Sequence, residues 1–89
     1  MIRRVIDVSR KGLQNLDPLP QDTTKLYCAY NELRELPELP RGLALINCSN
    51  NHLTHLPELP DSLMSLFCAF NELRELPELV RTQLVVLSC

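Results

Sequence analysis

The residues best able to do chemistry in this chain are four cysteines and two histidines. Cys28, Cys48 and Cys68 recur at intervals of 20 residues, and Val8 holds the same place before them. A column that accepts valine is one of small hydrophobic side chains. Thiols stacked in one straight column could not surround a tetrahedral zinc ion, and Cβ bonds that run side by side are poorly placed for a disulfide. We therefore expect core thiols without bridges, as in a reducing, cytosol-like compartment.

The two histidines, His52 and His55, have the HxxH spacing of some metal sites. Their equivalents in a neighbouring repeat are Glu32 and Glu35, which are ordinary solvent-facing residues. Two glycines are too few for a glycine-rich phosphate loop, and no Ser–His–Asp arrangement stands out. The sequence thus predicts no catalytic residue, no metal and no cofactor, and a protein that is not an enzyme.

A repeat of 20 residues explains where the cysteines lie. The segment Leu26–Pro40, LYCAYNELRELPELP, returns almost unchanged at Leu66–Val80, and a looser copy lies between them at Ile46–Pro60. Such a period, with leucine and asparagine at fixed places, is typical of a leucine-rich solenoid whose coils bury their apolar sides by stacking. We predict one domain over residues 1–89, with coils at approximately 6–25, 26–45, 46–65 and 66–86 and the strand of a fifth at 87–89. The last coil needs one extra residue within 80–83.

Each coil is predicted to contain one short strand and one extended arm. Lys25–Ala29 alternates, with Leu26 and Cys28 on the inward side. Successive strands must be parallel because every coil runs the same way round. The prolines of the LPELP segments disfavour helix, so we expect polyproline-II-like arms on the convex face and little or no helix.

A column of asparagines follows the strands at Asn31, Asn51 and Asn71, and Lys11 replaces it in the first coil. Backbone groups lose their partners where the chain turns inward, and an amide can both donate and accept hydrogen bonds. We predict a ladder of these three side chains that bridges the backbone of each coil and the next.

The unit LxxLxxxxNxLxxLPxLP, seen as LALINCSNNHLTHLPELP at Leu43–Pro60, resembles the short bacterial class of leucine-rich repeat. That class is typified by secreted effectors of enteric pathogens, and the resemblance covers about residues 5 to 89. It implies a curved solenoid with parallel strands on a concave face that binds protein ligands. Those effectors carry a helical cap, and many carry a ubiquitin-ligase domain with a catalytic cysteine. This chain starts almost inside its first strand and Cys89 falls in the core column, so we do not expect ligase activity.

The concave face is the predicted binding site. Aromatic residues are enriched in interface hot spots, although Tyr27 and Phe67 could instead pack across the sheet against Leu45. The predicted function is a protein-binding scaffold; the alternative is a structural or vestigial fragment with no dedicated partner, or part of a longer array. The predicted binding residues are Tyr27, Asn47, Phe67, Lys25, Leu45, Tyr30 and Phe70.

Charge and hydropathy narrow the range of partners. The net charge of −2 gives no strong field toward nucleic acid or an anionic membrane. No apolar run approaches the roughly 18–20 residues of a membrane helix, and charged residues from Arg3 onward interrupt any signal peptide. We therefore predict an intracellular protein. The apolar end Leu84–Cys89 would form an open strand edge, so self-association is a further expectation.

Overall fold

Five short parallel strands form a single sheet in the computed structural model, which describes residues 3–74 and 86–88. Strand order follows chain order, β1-β2-β3-β4-β5. No helix occurs in the residues described. The predicted solenoid of parallel strands is thus confirmed. The strands are β1 (Arg4–Asp7), β2 (Thr23–Tyr27), β3 (Leu45–Asn47), β4 (Ser65–Phe67) and β5 (Val86–Ser88).

The register of the sheet follows the sequence repeat. Ile6 pairs with Leu26, Leu26 with Ile46, and Ile46 with Leu66, so equivalent residues of successive coils lie side by side. Leu66 then pairs with Leu87, one residue beyond the usual interval. This step agrees with one extra residue in the last coil, although its expected place at 80–83 lies outside the described residues.

The second strand begins and ends two residues earlier than the predicted Lys25–Ala29. The N–H and hydroxyl of Thr23 donate to the Pro20 carbonyl at 3.1 and 2.7 Å, which closes a turn and starts the strand early. Pairing between coils continues past the strand, because the Cys28 N–H donates to the Asn47 carbonyl at 2.9 Å. The end of the strand is therefore a change of backbone direction and not a loss of hydrogen bonds.

The core is a column of leucines and isoleucines between the sheet and the arms. Leucine side chains of the arms complete it, with Leu36 and Leu39 only 9% and 7% exposed. Residues 28–44 and 48–64, which link the strands, contain neither helix nor strand. Their backbone groups bond to the backbone of neighbouring coils, to turns within the coil and to side chains. The fully buried aliphatic side chains are Leu26, Leu33, Leu43, Ile46, Leu53, Leu63 and Leu66.

The cysteine column is buried as predicted, but the prediction of unbridged thiols is wrong at one position. Cys28 and Cys48 are free and buried, whereas Cys68 is disulfide-bonded. Parallel strands lie about 4.8 Å apart, which is within the range of Cα separations that a disulfide spans. The spacing of the column therefore did not exclude a bridge. Burial raises the pKa of the Cys28 and Cys48 thiols to about 12.

Three asparagine amides bind the backbone where each coil turns inward. Asn51 Nδ2 donates to the carbonyls of Cys28 at 3.1 Å and Cys48 at 3.0 Å, and its Oδ1 accepts from the Leu33 N–H at 3.0 Å. Asn71 repeats this pattern one coil later, with Cys48, Cys68 and Leu53 as its partners. Each amide therefore joins its own coil to the preceding one, whereas the sequence pattern led us to expect the following one.

The first coil has Lys11 and no asparagine at the ladder position, and Asn31 of the second coil serves it. The N–H groups of Lys11 and Leu13 donate to Asn31 Oδ1 at 3.0 and 2.9 Å. Asn31 Nδ2 donates to the carbonyls of Val8 at 2.9 Å and Cys28 at 3.0 Å. Because the amides reach back by one coil, a lysine at position 11 is tolerated.

We expect Asn51→Ala to lower the free energy of unfolding by about 1–3 kcal/mol, because buried backbone groups of two coils lose their partner. Urea unfolding followed by circular dichroism measures the loss. Glu58→Ala, at an exposed arm position, is the matched control. An Asn51→Ala midpoint equal to that of the control would contradict the structural role of the ladder.

We also expect the native protein to resist alkylation at Cys28 and Cys48. Alkylation requires the thiolate. A pKa near 12 in place of the usual 9.0 leaves about a thousandfold less thiolate near pH 8. After unfolding without reductant, peptide mapping should find label at Cys28 and Cys48 and none at Cys68. Label on Cys68 in the unreduced protein would contradict its disulfide.

Candidate functional site

The solvent side of the sheet carries two rows of side chains, which we call the strand face. One row is Val5, Lys25, Leu45 and Ser65, and the other is Asp7, Tyr27, Asn47 and Phe67. Side chains alternate between the two sides of a strand, so these rows flank the buried row that contains Leu26. The strand face is therefore a broad surface whose columns are fixed by the register.

Two aromatic rings stand on either side of an amide in the strand face. Tyr27 and Phe67 both align with Asn47, and all three side chains are half-buried. Asn47 Oδ1 accepts from the Ser49 N–H at 3.2 Å. Its Nδ2 donates no hydrogen bond within the described part of the chain, so it can donate to a ligand.

Asp7 repeats the arrangement of Asn47 at the edge of the sheet. Its carboxylate accepts from the Ser9 N–H at 3.0 Å. That backbone hydrogen bond is the main reason that the pKa of Asp7 lies below its usual value. The first and third coils thus share a short polar side chain, where the second and fourth carry an aromatic one.

A second set of side chains projects at the carboxyl ends of the strands; we call it the ridge. It consists of Arg10, Tyr30, Asn50 and Phe70, whose φ angles are 57°, 57°, 59° and 56°. Left-handed backbone is unfavourable for bulky residues. Phe70 is 80% exposed, so packing of its ring does not offset that strain, whereas Tyr30 is 49% exposed and contacts Arg10.

Sequence reasoning missed the backbone of the ridge and the role of Arg10. The Arg10 guanidinium stacks over the Tyr30 ring, 4.0 Å from its centroid. Only Asn50 is a residue type that favours a positive φ, and one asparagine in four equivalent positions is a weak signal. The shared column of Arg10 and Tyr30 is the signal that could have paired them.

The predicted binding residues fall into three groups. Tyr27, Asn47 and Phe67 form a continuous row across three strands. Lys25 and Leu45 are neighbours in the parallel row, with Lys25 exposed and Leu45 half-buried. Tyr30 and Phe70 lie on the ridge, separated by Asn50.

Positive charge gathers at the β1 side of these surfaces. Arg10, Lys11 and Lys25 are all exposed there, against the single carboxylate of Asp7. The nearby Arg4 is neutralised by Asp22, since its Nε lies 2.9 Å from the Asp22 carboxylate. The residues of β3 and β4 include no charged side chain.

The histidines line an open, polar depression beside the arms. His52 Nδ1 lies 3.1 Å from Glu72 Oε2, and the two side chains are 56% and 64% exposed. His55 Nδ1 lies 3.2 Å from the Thr54 hydroxyl. Within residues 3–74 and 86–88, no three His, Cys, Asp or Glu side chains are grouped so that they could hold a metal ion.

Two further expectations concern membranes and the end of the chain. Over the described ranges, nothing helical has the length and hydrophobicity needed to cross a bilayer. The predicted open edge at 84–89 is described only at 86–88, as β5, which is the last strand of the sheet.

Among the solved structures that resemble this chain are two bacterial proteins. YopM from Yersinia enterocolitica WA-314 matches with a TM-score of 0.75 and 40% identity, over 79% of this chain and 15% of YopM. A Shigella effector LRR domain matches with a TM-score of 0.64 and 31% identity, over 90% of this chain and 46% of that one. The chain therefore spans less than half the length of either structure. No protein-family model and no curated protein matches the sequence.

The identities and the extent of the superpositions agree with the repeat read from the sequence. Both neighbours superpose on most of this chain, and the Shigella structure is itself a leucine-rich repeat domain. With its 20-residue repeat and parallel coil, this chain belongs to the leucine-rich repeat proteins of the bacterial class found in enteric-pathogen effectors.

Proposed function

We propose that this chain is a protein-binding scaffold that recognises its partner through the strand face and the ridge. Membership of the leucine-rich repeat proteins supports a repeat scaffold, since these solenoids generally bind other proteins on an extended surface. The place of binding rests on the residues of this chain.

The observation that carries the proposal is the exposure of strained aromatic residues. Phe70 adopts a φ of 56° and is 80% exposed to solvent. Neither its backbone nor its packing favours a phenylalanine there. Strain held at an exposed residue is typical of sites that contact ligands, and aromatic side chains provide much of the binding energy in protein interfaces.

The proposal includes no catalytic activity. The thiols of Cys28 and Cys48 are buried and their pKa is raised, so they are poor nucleophiles. The histidines are solvated and contact an exposed carboxylate and a hydroxyl. A binding role uses the surface residues that these observations leave unexplained.

Three predictions remain beside this proposal. A structural fragment without a partner, or a section of a longer array, would need no exposed aromatic residues. Self-association through β5 would appear as a rise of molar mass with concentration in light scattering. An intracellular location stays a prediction, which the free Cys28 and Cys48 favour and the bonded Cys68 does not.

We expect Tyr27→Ala with Phe67→Ala to abolish binding to most protein ligands selected against the native chain from a display library. The double substitution removes both rings of the central row. Glu38→Ala with Glu58→Ala, at exposed arm positions, is the matched control and should leave binding unchanged. Ligands that bind the aromatic variant as tightly as the native protein would contradict the strand-face assignment, provided that the variant's thermal melt shows it folded.

We expect Phe70→Gly to keep the free energy of unfolding unchanged or raise it by up to about 1 kcal/mol. Relief of left-handed strain is about 1–2 kcal/mol, which exceeds the entropy cost of glycine. The same variant should weaken the selected ligands. Urea unfolding and a binding titration measure the two effects, and a loss of stability above about 1 kcal/mol would mean that Phe70 packs and does not serve binding.

A further inference from the structure

The aromatic residues of the two surfaces recur every second coil. Tyr27 and Phe67 flank Asn47 in the strand face, and Tyr30 and Phe70 flank Asn50 on the ridge. The second and fourth coils thus each carry one aromatic residue in the strand face and one on the ridge, and the third coil carries an amide at both places. We call Tyr27 with Tyr30, and Phe67 with Phe70, the aromatic pairs. A ligand that uses both pairs must run across the strands, along the axis of the solenoid.

The distance between the pairs selects the conformation of such a ligand. Two strand spacings place the backbones of Tyr27 and Phe67 about 9.6 Å apart. A polyproline-II helix advances about 9.3 Å in one turn of three residues, so its residues i and i+3 face the same side at nearly this distance.

Other regular conformations fit this distance less well. In a β-strand every second residue faces the same side, so residues i and i+2 lie about 6.7 Å apart and residues i and i+4 about 13.4 Å apart. An α-helix returns to nearly the same face after seven residues, at about 10.5 Å, but it fills the intervening space with side chains at closer spacings. The half-buried Asn47 between the rings offers a polar contact at that place and no apolar one.

The amides between the aromatic pairs suit the backbone of an extended ligand. A polyproline-II segment has no internal hydrogen bonds, so its carbonyls are free to accept. Asn47 uses its Oδ1 for the Ser49 N–H, and its Nδ2 remains a donor. Asn50 makes no side-chain hydrogen bond to the described residues and is only half-buried.

The charge of the surface adds an orientation. Arg10, Lys11 and Lys25 are exposed around Tyr27 and Tyr30 and outnumber the carboxylate of Asp7, which lies beside Tyr27, whereas the residues of β3 and β4 are uncharged. An acidic residue in the ligand is therefore complementary to the tyrosine end only. The first coil, which carries Arg10, lies one strand spacing of about 4.8 Å beyond the tyrosines. A polyproline-II segment covers that distance with one or two residues.

We infer that these surfaces bind a proline-rich segment of a partner protein in the polyproline-II conformation. Its prolines, three residues apart, sit on the Phe67 and Phe70 pair and on the Tyr27 and Tyr30 pair. An acidic residue follows beside Arg10 and Lys25. Aromatic-lined surfaces suit such ligands because their ordered conformation costs little entropy to bind. The inference rests on the proposed function and names the class of its ligand.

The test uses synthetic peptides with the full chain. The probe is a fluorescein-labelled peptide, Ala-Pro-Pro-Ala-Pro-Pro-Glu-Glu, and its reversed sequence is measured with it because polyproline-II ligands can bind in either direction. One control peptide has glycine in place of every proline, and another has lysine in place of both glutamates. Of the probe and its reversed sequence, the one with the lower Kd in anisotropy titrations should bind at least about tenfold more tightly than either control peptide.

Variants of the protein then locate the site. Tyr27→Leu with Phe67→Leu keeps apolar packing but removes both rings, and should weaken the proline peptide at least about tenfold. Asn50→Gly removes one amide donor, and glycine adopts the left-handed backbone without strain. This variant should bind the proline peptide severalfold more weakly. Arg10→Ala with Lys25→Ala should remove the preference for glutamate over lysine. Glu38→Ala with Glu58→Ala should change nothing.

Several results would overturn the inference. Equal binding of the proline and glycine peptides would do so, as would unchanged binding to the leucine variant. A third such result would be self-association in which the Pro37–Pro40 segment of a second copy occupies these surfaces and thereby prevents peptide binding. If display-selected ligands depend on Tyr27 and Phe67 while the proline peptide does not bind, the proposed function stands and the polyproline ligand fails. If neither ligand depends on these rings, both fail.

Discussion

The satisfaction of backbone groups at the inward turn is the constraint on which the rest of the molecule depends. Each coil turns inward after its short strand to place its leucines in the core. Backbone bonds between coils continue past that point, but groups such as the Leu33 N–H and the Cys48 carbonyl are bound by asparagine side chains. Asn31, Asn51 and Asn71 bind these groups, and each one spans two coils. The stack is therefore held by directional polar bonds on one side and by leucine packing on the other. Neither would fix the register alone, since apolar side chains can slide and amides without a core would be solvated.

A fixed register has a consequence for the surface. Because equivalent residues pair across the sheet, an aromatic residue that occurs in every second repeat alternates along the row with the residue of the repeat between. Tyr27 and Phe67 are held on either side of Asn47, at a distance that the strands set and the side chains do not. The same holds for the ridge, where Tyr30 and Phe70 share a left-handed backbone. A scaffold of this kind can change its ligand by exchanging surface residues while its core and ladder remain as they are.

The cysteine column shows how far a pattern of residue types can be interpreted. Exchange with Val8 correctly indicated a buried position, and Cys28 and Cys48 are buried with a raised pKa. The same reasoning failed at Cys68, which is disulfide-bonded. Burial and bridging are not alternatives when neighbouring strands are close enough for a bond. A periodic column reports the environment of a side chain, and the contacts of each member depend on its local geometry.

The sequence by itself determined the repeat, the parallel sheet, the absence of helix in the described arms and the identity of the core leucines. It could do so because a period of 20 residues with prolines in the arms leaves few ways to bury the leucines. It also identified the aromatic rows, since side chains alternate along a strand. The bounds of β2, the bond at Cys68, the direction in which each asparagine reaches and the left-handed ridge were decided by the tertiary structure. The start of β2 depends on the local turn between Pro20 and Thr23. The reach of the asparagines and the backbone of the ridge arise where one coil meets another. The energy of such contacts depends on distances and angles that no single repeat contains.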